Sequence, residues 1–312
     1  AETLKVAKAY ALAGGNFLDT ANKYHEGETE RLCAKIIADE RDRWVVATKY
    51  TLATKSGDPN AAGNSRKNMM QAVHKSLKRL ETDYIDLLWV HAWDFTTSPA
   101  EVMRGLDDLV RAGKVLYVGI SDAPAWVVSQ CNMLAELRGW TPFVALQIEY
   151  SLIERTVERE LIPMAKQLGL TVTPWGPLGG GVLTGKYTRH AEPTDTKRAG
   201  SNEARLTERN VAIAKTVDAI ADEVGVSSAQ VALAWVRSRG PHIIPIIGAR
   251  KVSQVEDSLK TVDISIGEAH LAKLDEVSAI RLGFPHDFTE RDAIKGIVYS
   301  DVHDRIDLPP SR

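Results

Sequence analysis

Residues 84–91 read YIDLLWVH, a short apolar run that ends in a histidine. An apolar run of this length between longer amphipathic stretches is typical of a buried strand in a parallel sheet. The same pattern recurs along the chain. It predicts seven strands, at 16–20, 44–49, 84–91, 115–121, 143–149, 171–175 and 242–248.

Helical patterns separate these predicted strands. From 65 to 80 the apolar residues recur on one face, and the stretch 99–112 begins with a proline in its first turn. Strands that alternate with helices in this way predict an α/β protein with a parallel sheet. The length suits a single domain, a (β/α)8 TIM barrel covering residues 1–312.

The predicted barrel is one strand short. Seven parallel strands do not close a barrel of the common eight-stranded type, and the first helical pattern, at 4–13, follows no strand. The sequence also starts with Ala1 rather than with methionine. We therefore expect the first strand to lie in an N-terminal piece ahead of Ala1. An intact mass of the expressed protein with nothing before that residue would contradict this.

The bulk composition narrows the class of protein. With 312 residues, 44% of them hydrophobic, the chain can bury a large core. A net charge of -2 gives no broad attraction to nucleic-acid phosphates or anionic lipid, and no stretch has the roughly 18 consecutive apolar residues of a membrane helix. We expect a cytoplasmic protein with no nucleic-acid or membrane partner. Cys33 and Cys131 stand far apart, which predicts neither a disulfide framework nor a cysteine metal site.

Polar side chains stand where three neighbouring strands are predicted to end. Asp19, Lys49 and His91 each follow an apolar run, and Tyr24 follows Asp19 in the adjoining loop. Singly, each has a structural explanation, as a helix cap, a solvated strand end or a core histidine. Carboxyl ends of barrel strands converge on one face, however, so the four supply a proton donor, a cation, an anion and a neutral hydrogen-bonding ring together. The set favours a functional interpretation.

Six blocks of sequence carry a family resemblance: GGNFLDTANKY, WVVATK, WVHAWD, GISDAPAW, LQIEYSL and PIIGARKVSQ. With these blocks in this order and spacing, the chain resembles the aldo-keto reductase family almost from end to end. Within the family it is most similar to the aryl-alcohol dehydrogenase-like members. The resemblance implies reduction of an aldehyde or ketone to an alcohol, or the reverse reaction, without a metal ion.

The resemblance gives the proton-donor role to Tyr24. A carbonyl that accepts hydride at carbon develops negative charge on oxygen, which a nearby acid must protonate. A tyrosine gives up its proton reluctantly at neutral pH, so a neighbouring positive charge is needed, and Lys49 is the natural source. Asp19 would hold the Lys49 ammonium in place. His91 would hydrogen-bond the substrate oxygen and orient the carbonyl.

The expected cofactor is NADPH/NADP+, held without a Rossmann motif, because no GxGxxG follows a strand. The segment GGVLTGK at 180–186 has P-loop spacing, but Tyr187 stands where Ser or Thr would bind magnesium, so a nucleoside triphosphatase is rejected. By resemblance this segment wraps the pyrophosphate, within a cofactor-covering loop at 179–205, and Trp175 stacks on the nicotinamide. The implied cofactor residues here are Ser121, Asp122, Gln147, Trp175, Gly176, Pro177, Leu178, Gly180, Gly181 and Lys186.

Two basic residues at a predicted helix start, Arg250 and Lys251, suit an anion. By resemblance this is the clamp for the adenosine 2'-phosphate, which favours NADPH over NADH. The implied residues are Gly248, Arg250, Gln254, Asp257 and Ser258. Asp122 and Ser258 replace asparagines that are usual in the family. A carboxylate at 122 can accept from the carboxamide NH2 but cannot donate to its oxygen.

Trp93, Phe95 and Trp126 each lie just beyond a predicted strand end. They are candidates to line an apolar pocket for an aromatic or bulky carbonyl, or to anchor loops. The tail at 281–312 is expected to complete the substrate side. Two alternatives stay open: an NADPH-bound regulatory subunit resembling the potassium-channel β proteins, which share this barrel, and an inactive scaffold. The sequence also leaves open the particular substrate, the favoured direction and the oligomeric state.

Overall fold

The computed structural model describes residues 2–189 and 203–307. Six parallel strands form one sheet in chain order, which curls into part of a barrel with helices around it. The strands are β1 Phe17–Asp19, β2 Val45–Tyr50, β3 Ile85–Val90, β4 Val115–Ser121, β5 Phe143–Glu149 and β6 Thr171–Trp175.

The helices of the described residues connect these strands and continue beyond them. They are α1 Glu2–Leu12, α2 Glu28–Ile37, α3 Arg66–Leu80, α4 Pro99–Arg111, α5 Ala125–Arg138, α6 Leu161–Gln167, α7 Glu208–Val224, α8 Ser228–Arg237, α9 Val252–Leu259, α10 Glu268–Val277, α11 His286–Thr289 and α12 Asp292–Tyr299. Short 3-10 turns lie at Tyr24–Gly27, Arg41–Arg43, Pro59–Ala61, Thr156–Glu158, Gly179–Thr184, Glu203–Arg205, Lys260–Asp263 and Ser300–Arg305.

Helices α3 and α4 show why these residues fold as helices. Ser65 and Ser98 precede them, and each side chain accepts a hydrogen bond from a first-turn backbone N–H. Pro99 occupies the first helical position of α4, where no N–H is needed. Met69 and Val73 belong to the buried face of α3, as the sequence pattern predicts.

The core has an outer and an inner part. The larger cluster of buried side chains lies between the sheet and the helices, whereas a small cluster lies apart from it. That inner cluster contains Ala47, Leu87, Trp89 and Ala145, with Phe17 packed against them. Every second side chain of a strand lies on the same face of the sheet. The inner face that carries this cluster therefore continues to the strand ends, where the polar residues lie.

The parallel α/β class is confirmed, and the bounds predicted for β4, β5 and β6 agree with the structure. The predicted seventh strand at 242–248 is wrong as a regular strand. Its backbone does run beside β6, with hydrogen bonds from Val172 N to His242 O (2.8 Å) and from Ile246 N to Pro174 O (2.9 Å). Pro245 has no N–H to offer, and no strand flanks the outer edge of this segment in the described part of the chain.

A cavity of about 850 Å³ separates β1 from residues 244–247. Tyr10 of α1 and Leu32 of α2 line it together with apolar side chains of both sheet edges. Because this cavity lies between the two edges, the sheet is not a closed barrel over residues 2–189 and 203–307.

Both segments that interrupt the sequence pattern contain local structure. The predicted loop at 179–205 starts with the Gly179–Thr184 turn, and its residues 190–202 lie outside the described residues. The tail at 281–312 carries α11, α12 and a final turn, which its lack of periodicity did not predict; residues 308–312 and Ala1 lie outside the described residues. Among the helices described, none is both long and apolar enough to cross a membrane.

Candidate active site

The ends of β1 and β2 bring Asp19 and Lys49 into contact. The ammonium of Lys49 donates to Asp19 Oδ2 and, at 2.9 Å, to the backbone carbonyl of Thr20. Lys49 is only 1% exposed. A buried ammonium needs a matched charge and hydrogen-bond acceptors close by, so these contacts hold it at one position.

The second oxygen of Asp19 has its own partners. The indole N–H of Trp89 and the side-chain amide of Gln147 each donate to Asp19 Oδ1 at 3.1 Å. The resemblance assigns Gln147 to the cofactor, which stays a prediction; its contact with Asp19 was not predicted. Trp89 was missed by sequence reasoning. The available signal was its position two residues before His91, on the same inward face of β3.

Tyr24 lies in the loop after β1, at the start of a 3-10 turn, and is 37% exposed. Its ring centroid lies 4.9 Å from Lys49 Nζ. The ring of His91 meets it edge-on, with 5.6 Å between the two centroids. The structure therefore brings all four predicted catalytic residues together, with the partly exposed Tyr24 ring beside the buried ion pair.

The turn after Tyr24 has an unusual backbone. His25, Glu26 and Gly27 all have positive φ, and a Cβ on Gly27 would lie 2.7 Å from the Arg79 side chain. Arg79 in turn donates at 2.5 Å to the fully buried Glu30, which also accepts from Thr48 Oγ1 at 2.6 Å. These contacts between Gly27, Arg79, Glu30 and Thr48 join the loop of Tyr24 to β2, the strand that carries Lys49.

His91 is buried at the end of β3 and is uncharged at neutral pH. Desolvation by burial and, to a smaller extent, the neighbouring Lys49 ammonium together lower the pKa of His91 to about 4. Its Nδ1 is buried and has no hydrogen-bond partner among the described residues. A neutral imidazole has one N–H and one acceptor nitrogen, so it can donate a single hydrogen bond to a carbonyl oxygen.

Asp122, which follows β4, and Trp175, at the end of β6, contact one another across the end of β5. The indole N–H of Trp175, at the end of β6, donates to Asp122 Oδ1 at 3.1 Å. Partial burial raises the pKa of the Asp122 carboxyl, and the hydrogen bond from Trp175 opposes this shift. Asp122 has φ of 43°, a conformation that Asp and Asn tolerate best among residues with a side chain. Ser121 beside it is buried.

The glycine-rich segment after β6 forms a compact turn. Gly176, Gly180 and Gly181 all have positive φ, and Pro177 and Leu178 lie between them, buried and half-buried. A Cβ on Gly181 would lie 2.8 Å from Lys186 Nζ, so the lysine ammonium bends back over this glycine. A tight glycine turn whose backbone a ligand can approach closely, with an ammonium beside it, suits the binding of a phosphate group.

The predicted 2'-phosphate clamp lies at the surface. Gly248 and Arg250 are exposed just before α9. The side chain of Gln254 accepts from the backbone N–H of Arg250 at 2.8 Å and of Lys251 at 3.2 Å. Gln254 thus caps the helix, and its assignment to the adenine side stays a prediction.

Two further residues assigned to the adenine side are placed differently from one another. Asp257 accepts from Ser227 Oγ at 2.7 Å and from Gln230 Nε2 at 2.9 Å, so it ties α9 to α8. Ser258, the next residue, is half-buried on the same helix. The structure therefore gives Asp257 a packing role that sequence reasoning did not foresee.

The three aromatic residues assigned to the substrate pocket do not share one environment. Trp93 is buried in the large core cluster, whereas Phe95 and Trp126 are 68% and 61% exposed. The cavity beside β1 includes Asp19 and Tyr24 in its lining but none of these aromatics. The cavity extends from β1 to residues 244–247 and is also lined by residues of the strands between them, among them Leu87 and Ala145. No cluster of three metal-type ligands occurs within residues 2–189 and 203–307.

The Aldo/keto reductase family model matches residues 1–279. An aryl-alcohol dehydrogenase of Pestalotiopsis microspora is 38% identical over 281 residues, covering 88% of this chain and 72% of the relative. A norsolorinic acid reductase of Aspergillus flavus is 38% identical over 283 residues, with 88% and 71% covered. An aryl-alcohol dehydrogenase [NADP(+)] of Phanerodontia chrysosporium is 38% identical over 305 residues, with 91% and 78% covered.

Proposed function

Because the chain belongs to the aldo/keto reductase family, we propose that it reduces an aldehyde or ketone with NADPH and that Tyr24 donates the proton. The names of its relatives support the coarser part of this proposal, an oxidoreductase that interconverts carbonyl and alcohol groups. The single observation that supports Tyr24 as the proton donor is the buried Lys49–Asp19 pair next to the Tyr24 ring.

The proton step follows from this geometry. The Lys49 ammonium, held by Asp19 and Thr20, lies 4.9 Å from the Tyr24 ring centroid. In the proposed step, its positive charge stabilises the negative charge that stays on the Tyr24 phenolate after the proton has left. We infer that this arrangement assists transfer of the Tyr24 proton to the substrate oxygen. Since a buried ammonium cannot relax away, this stabilisation is in place before the reaction begins.

His91 orients the carbonyl. With a pKa of about 4 it stays neutral over the physiological range and donates a hydrogen bond without competing for the proton that Tyr24 supplies. The Tyr24 hydroxyl and the His91 ring, whose ring centroids lie 5.6 Å apart, would both hydrogen-bond the carbonyl oxygen and so fix its position. Its carbon is thereby held at one position relative to the strand ends.

The residues near β4 to β6 fit a nicotinamide dinucleotide. The half-buried Trp175, fixed by Asp122, offers a flat apolar face, and the Gly180–Gly181 turn beneath Lys186 suits a pyrophosphate. Arg250 before α9 would hold a 2'-phosphate, which favours NADPH over NADH. When bound, NADPH supplies the hydride. The segments at 179–205 and 281–312 would cover the cofactor and the substrate.

The substrate class is proposed from the relatives and from exposed aromatic groups. The relatives' names specify aryl alcohols and norsolorinic acid. Phe95 and Trp126 lie exposed beyond the ends of β3 and β4, where they would pack against an aromatic or bulky apolar carbonyl. We also propose a cytoplasmic location and an eight-stranded barrel as the complete sheet. The cavity between β1 and residues 244–247, which separates two parallel edges, supports the barrel.

The test mixes the protein with NADPH and a panel of aryl aldehydes and ketones, and follows the loss of cofactor absorbance. Tyr24→Phe should lose most turnover, at least a hundredfold, because the ring remains but the proton donor is gone. NADPH binding, measured by fluorescence titration, should stay nearly unchanged. Tyr117→Phe is the matched control, since it removes the same hydroxyl from an exposed tyrosine near the start of β4.

Near wild-type turnover in Tyr24→Phe would contradict the assignment. Tight NADPH binding by the wild type with no turnover on any carbonyl would instead favour a cofactor-bound regulatory subunit. Absence of both binding and turnover would indicate an inactive scaffold.

A further inference from the structure

We propose that Trp89 is a positioning residue for the carbonyl reduction, acting through the carboxylate of Asp19. The proposal rests on the proposed function, in which the Lys49 ammonium assists proton release from Tyr24. Trp89 does not reach the reacting atoms. Its role is to hold Asp19 so that Asp19 can hold Lys49.

The two oxygens of Asp19 are bound from different sides. Oδ2 accepts from Lys49, while Oδ1 accepts from the Trp89 indole and from Gln147, each at 3.1 Å. A carboxylate bound at one oxygen only can turn about its Cβ–Cγ bond, which moves the other partner with it. The two donors on Oδ1 prevent this rotation, and so they fix the direction in which Oδ2 presents itself to the ammonium.

The environment of Trp89 indicates more than core filling. It is completely buried, and a buried indole N–H needs an acceptor. Here the acceptor is an ionised catalytic carboxylate, which makes the bond charge-assisted and stronger than a bond to a neutral carbonyl. An aromatic ring with no N–H would fill the same space without this contact.

The neighbouring strand is shaped to accept the indole. Trp89 pairs in register with Gly119 of β4. A Cβ on Gly119 would lie 2.5 Å from Cε3 and Cζ3 of the indole, closer than real side chains approach. Gly119 does not have positive φ, so its backbone conformation does not require glycine. The missing side chain is therefore explained by the space that the indole needs.

The decisive experiment compares Trp89→Phe with Trp89→His. Phenylalanine keeps more of the volume but has no N–H, whereas the histidine ring can present an N–H where the indole nitrogen lies, at the cost of a larger cavity. Assays at pH 8 and above keep that histidine neutral. We expect kcat to fall about tenfold in Trp89→Phe, with the KM for NADPH unchanged and the alkaline limb of the kcat–pH profile displaced. Trp89→His should recover most of kcat.

A second measurement tests the contact without activity. The chain has seven tryptophans, and the indole N–H resonance of Trp89 is the one that disappears from the ¹H–¹⁵N spectrum of Trp89→Phe. In Asp19→Asn this resonance should move upfield, because an amide oxygen is a weaker acceptor than a carboxylate. Both measurements use the full chain.

The outcomes separate this proposal from the proposed function. If the purely structural role is correct, Trp89→His is less active than Trp89→Phe, because it leaves the larger cavity; that order, or an indole resonance insensitive to Asp19→Asn, overturns the positioning role alone. A wild-type protein that oxidises no NADPH with any carbonyl overturns the proposed function and this role with it.

Discussion

Lys49 and Asp19 meet at the ends of two strands, buried and bonded to each other, whereas Arg250 and Gln254 lie exposed where a loop enters a helix. The first pair is held by the sheet itself. The second lies on a segment whose polar groups cap their own helix, as Gln254 does. The comparison teaches that the proposed catalytic pair is part of the folded core, whereas the proposed contacts to the cofactor phosphate depend on surface side chains.

This contrast has a thermodynamic counterpart. A change among the buried strand ends removes a partner that has already been desolvated, so it should lower both activity and the free energy of unfolding. A change at the surface clamp should lower cofactor affinity and leave the free energy of unfolding as it was. Three predictions test whether the two regions differ in this way.

The largest effect is expected from Lys49→Met. It leaves the Asp19 carboxylate buried without its cation, although Trp89 and Gln147 still donate to it. Urea unfolding should show a loss of about 3 kcal/mol, and turnover should fall to background. Arg250→Ala serves as the control and should keep the wild-type midpoint. A wild-type midpoint in Lys49→Met would remove the proposed difference between core and surface.

A smaller effect is expected from the pH dependence of stability at His91. In the unfolded chain a histidine takes up a proton near pH 6.5, but burial delays this in the folded state until about pH 4. Between these values the unfolded state binds more protons, so stability falls as the pH falls. The contribution of His91 from pH 7 to pH 5 is about 2 kcal/mol.

The measurement is thermal or urea unfolding of the wild type and of His91→Gln at several pH values. The variant should show a shallower loss of stability below pH 7. The exposed His74 on α3 provides the control, since His74→Gln should retain the wild-type slope. Parallel slopes for wild type and His91→Gln would show that the buried ring has no such linkage.

The smallest effect is expected from Arg250→Ala, and it should be confined to the cofactor. The KM for NADPH should rise about tenfold, as one charge-assisted phosphate contact is lost, while the KM for NADH should hardly change. Raising the salt concentration should weaken NADPH binding in the wild type more than in the variant, because the contact is exposed. Equal effects on both cofactors would argue against a phosphate clamp.

Periodicity alone predicted much of the catalytic region. Side chains alternate between the two faces of a strand, and the end of an apolar run marks the end of the strand. The polar residues that follow such runs could therefore be placed at one edge of a parallel sheet from the sequence alone. Asp19, Lys49, Tyr24 and His91 are together in the structure for this reason. The resemblance then supplied their roles.

The hydrogen-bond partner that each polar side chain takes could not be predicted in the same way. The resemblance assigns Gln147 and Asp257 to the cofactor; it did not predict that Gln147 donates to Asp19 or that Asp257 accepts from Gln230 of α8. Each choice depends on which polar group happens to lie within about 3 Å, and that distance is a property of packing. The segment at 242–248 failed as a strand for a related reason, because a strand also requires neighbours that its own sequence does not contain.

The contacts of Arg79 next to the Tyr24 turn bear on which substitutions the protein can tolerate. Arg79 belongs to α3, away from the strand ends, but it supports Gly27 on one side and grips the buried Glu30 on the other. Through Thr48 that grip extends to the residue before the catalytic lysine. The loop of Tyr24 and the strand of Lys49 are therefore joined through Arg79. A change at Arg79, which lies on α3 and not at the strand ends, would disturb both sides of the proposed proton-donor pair.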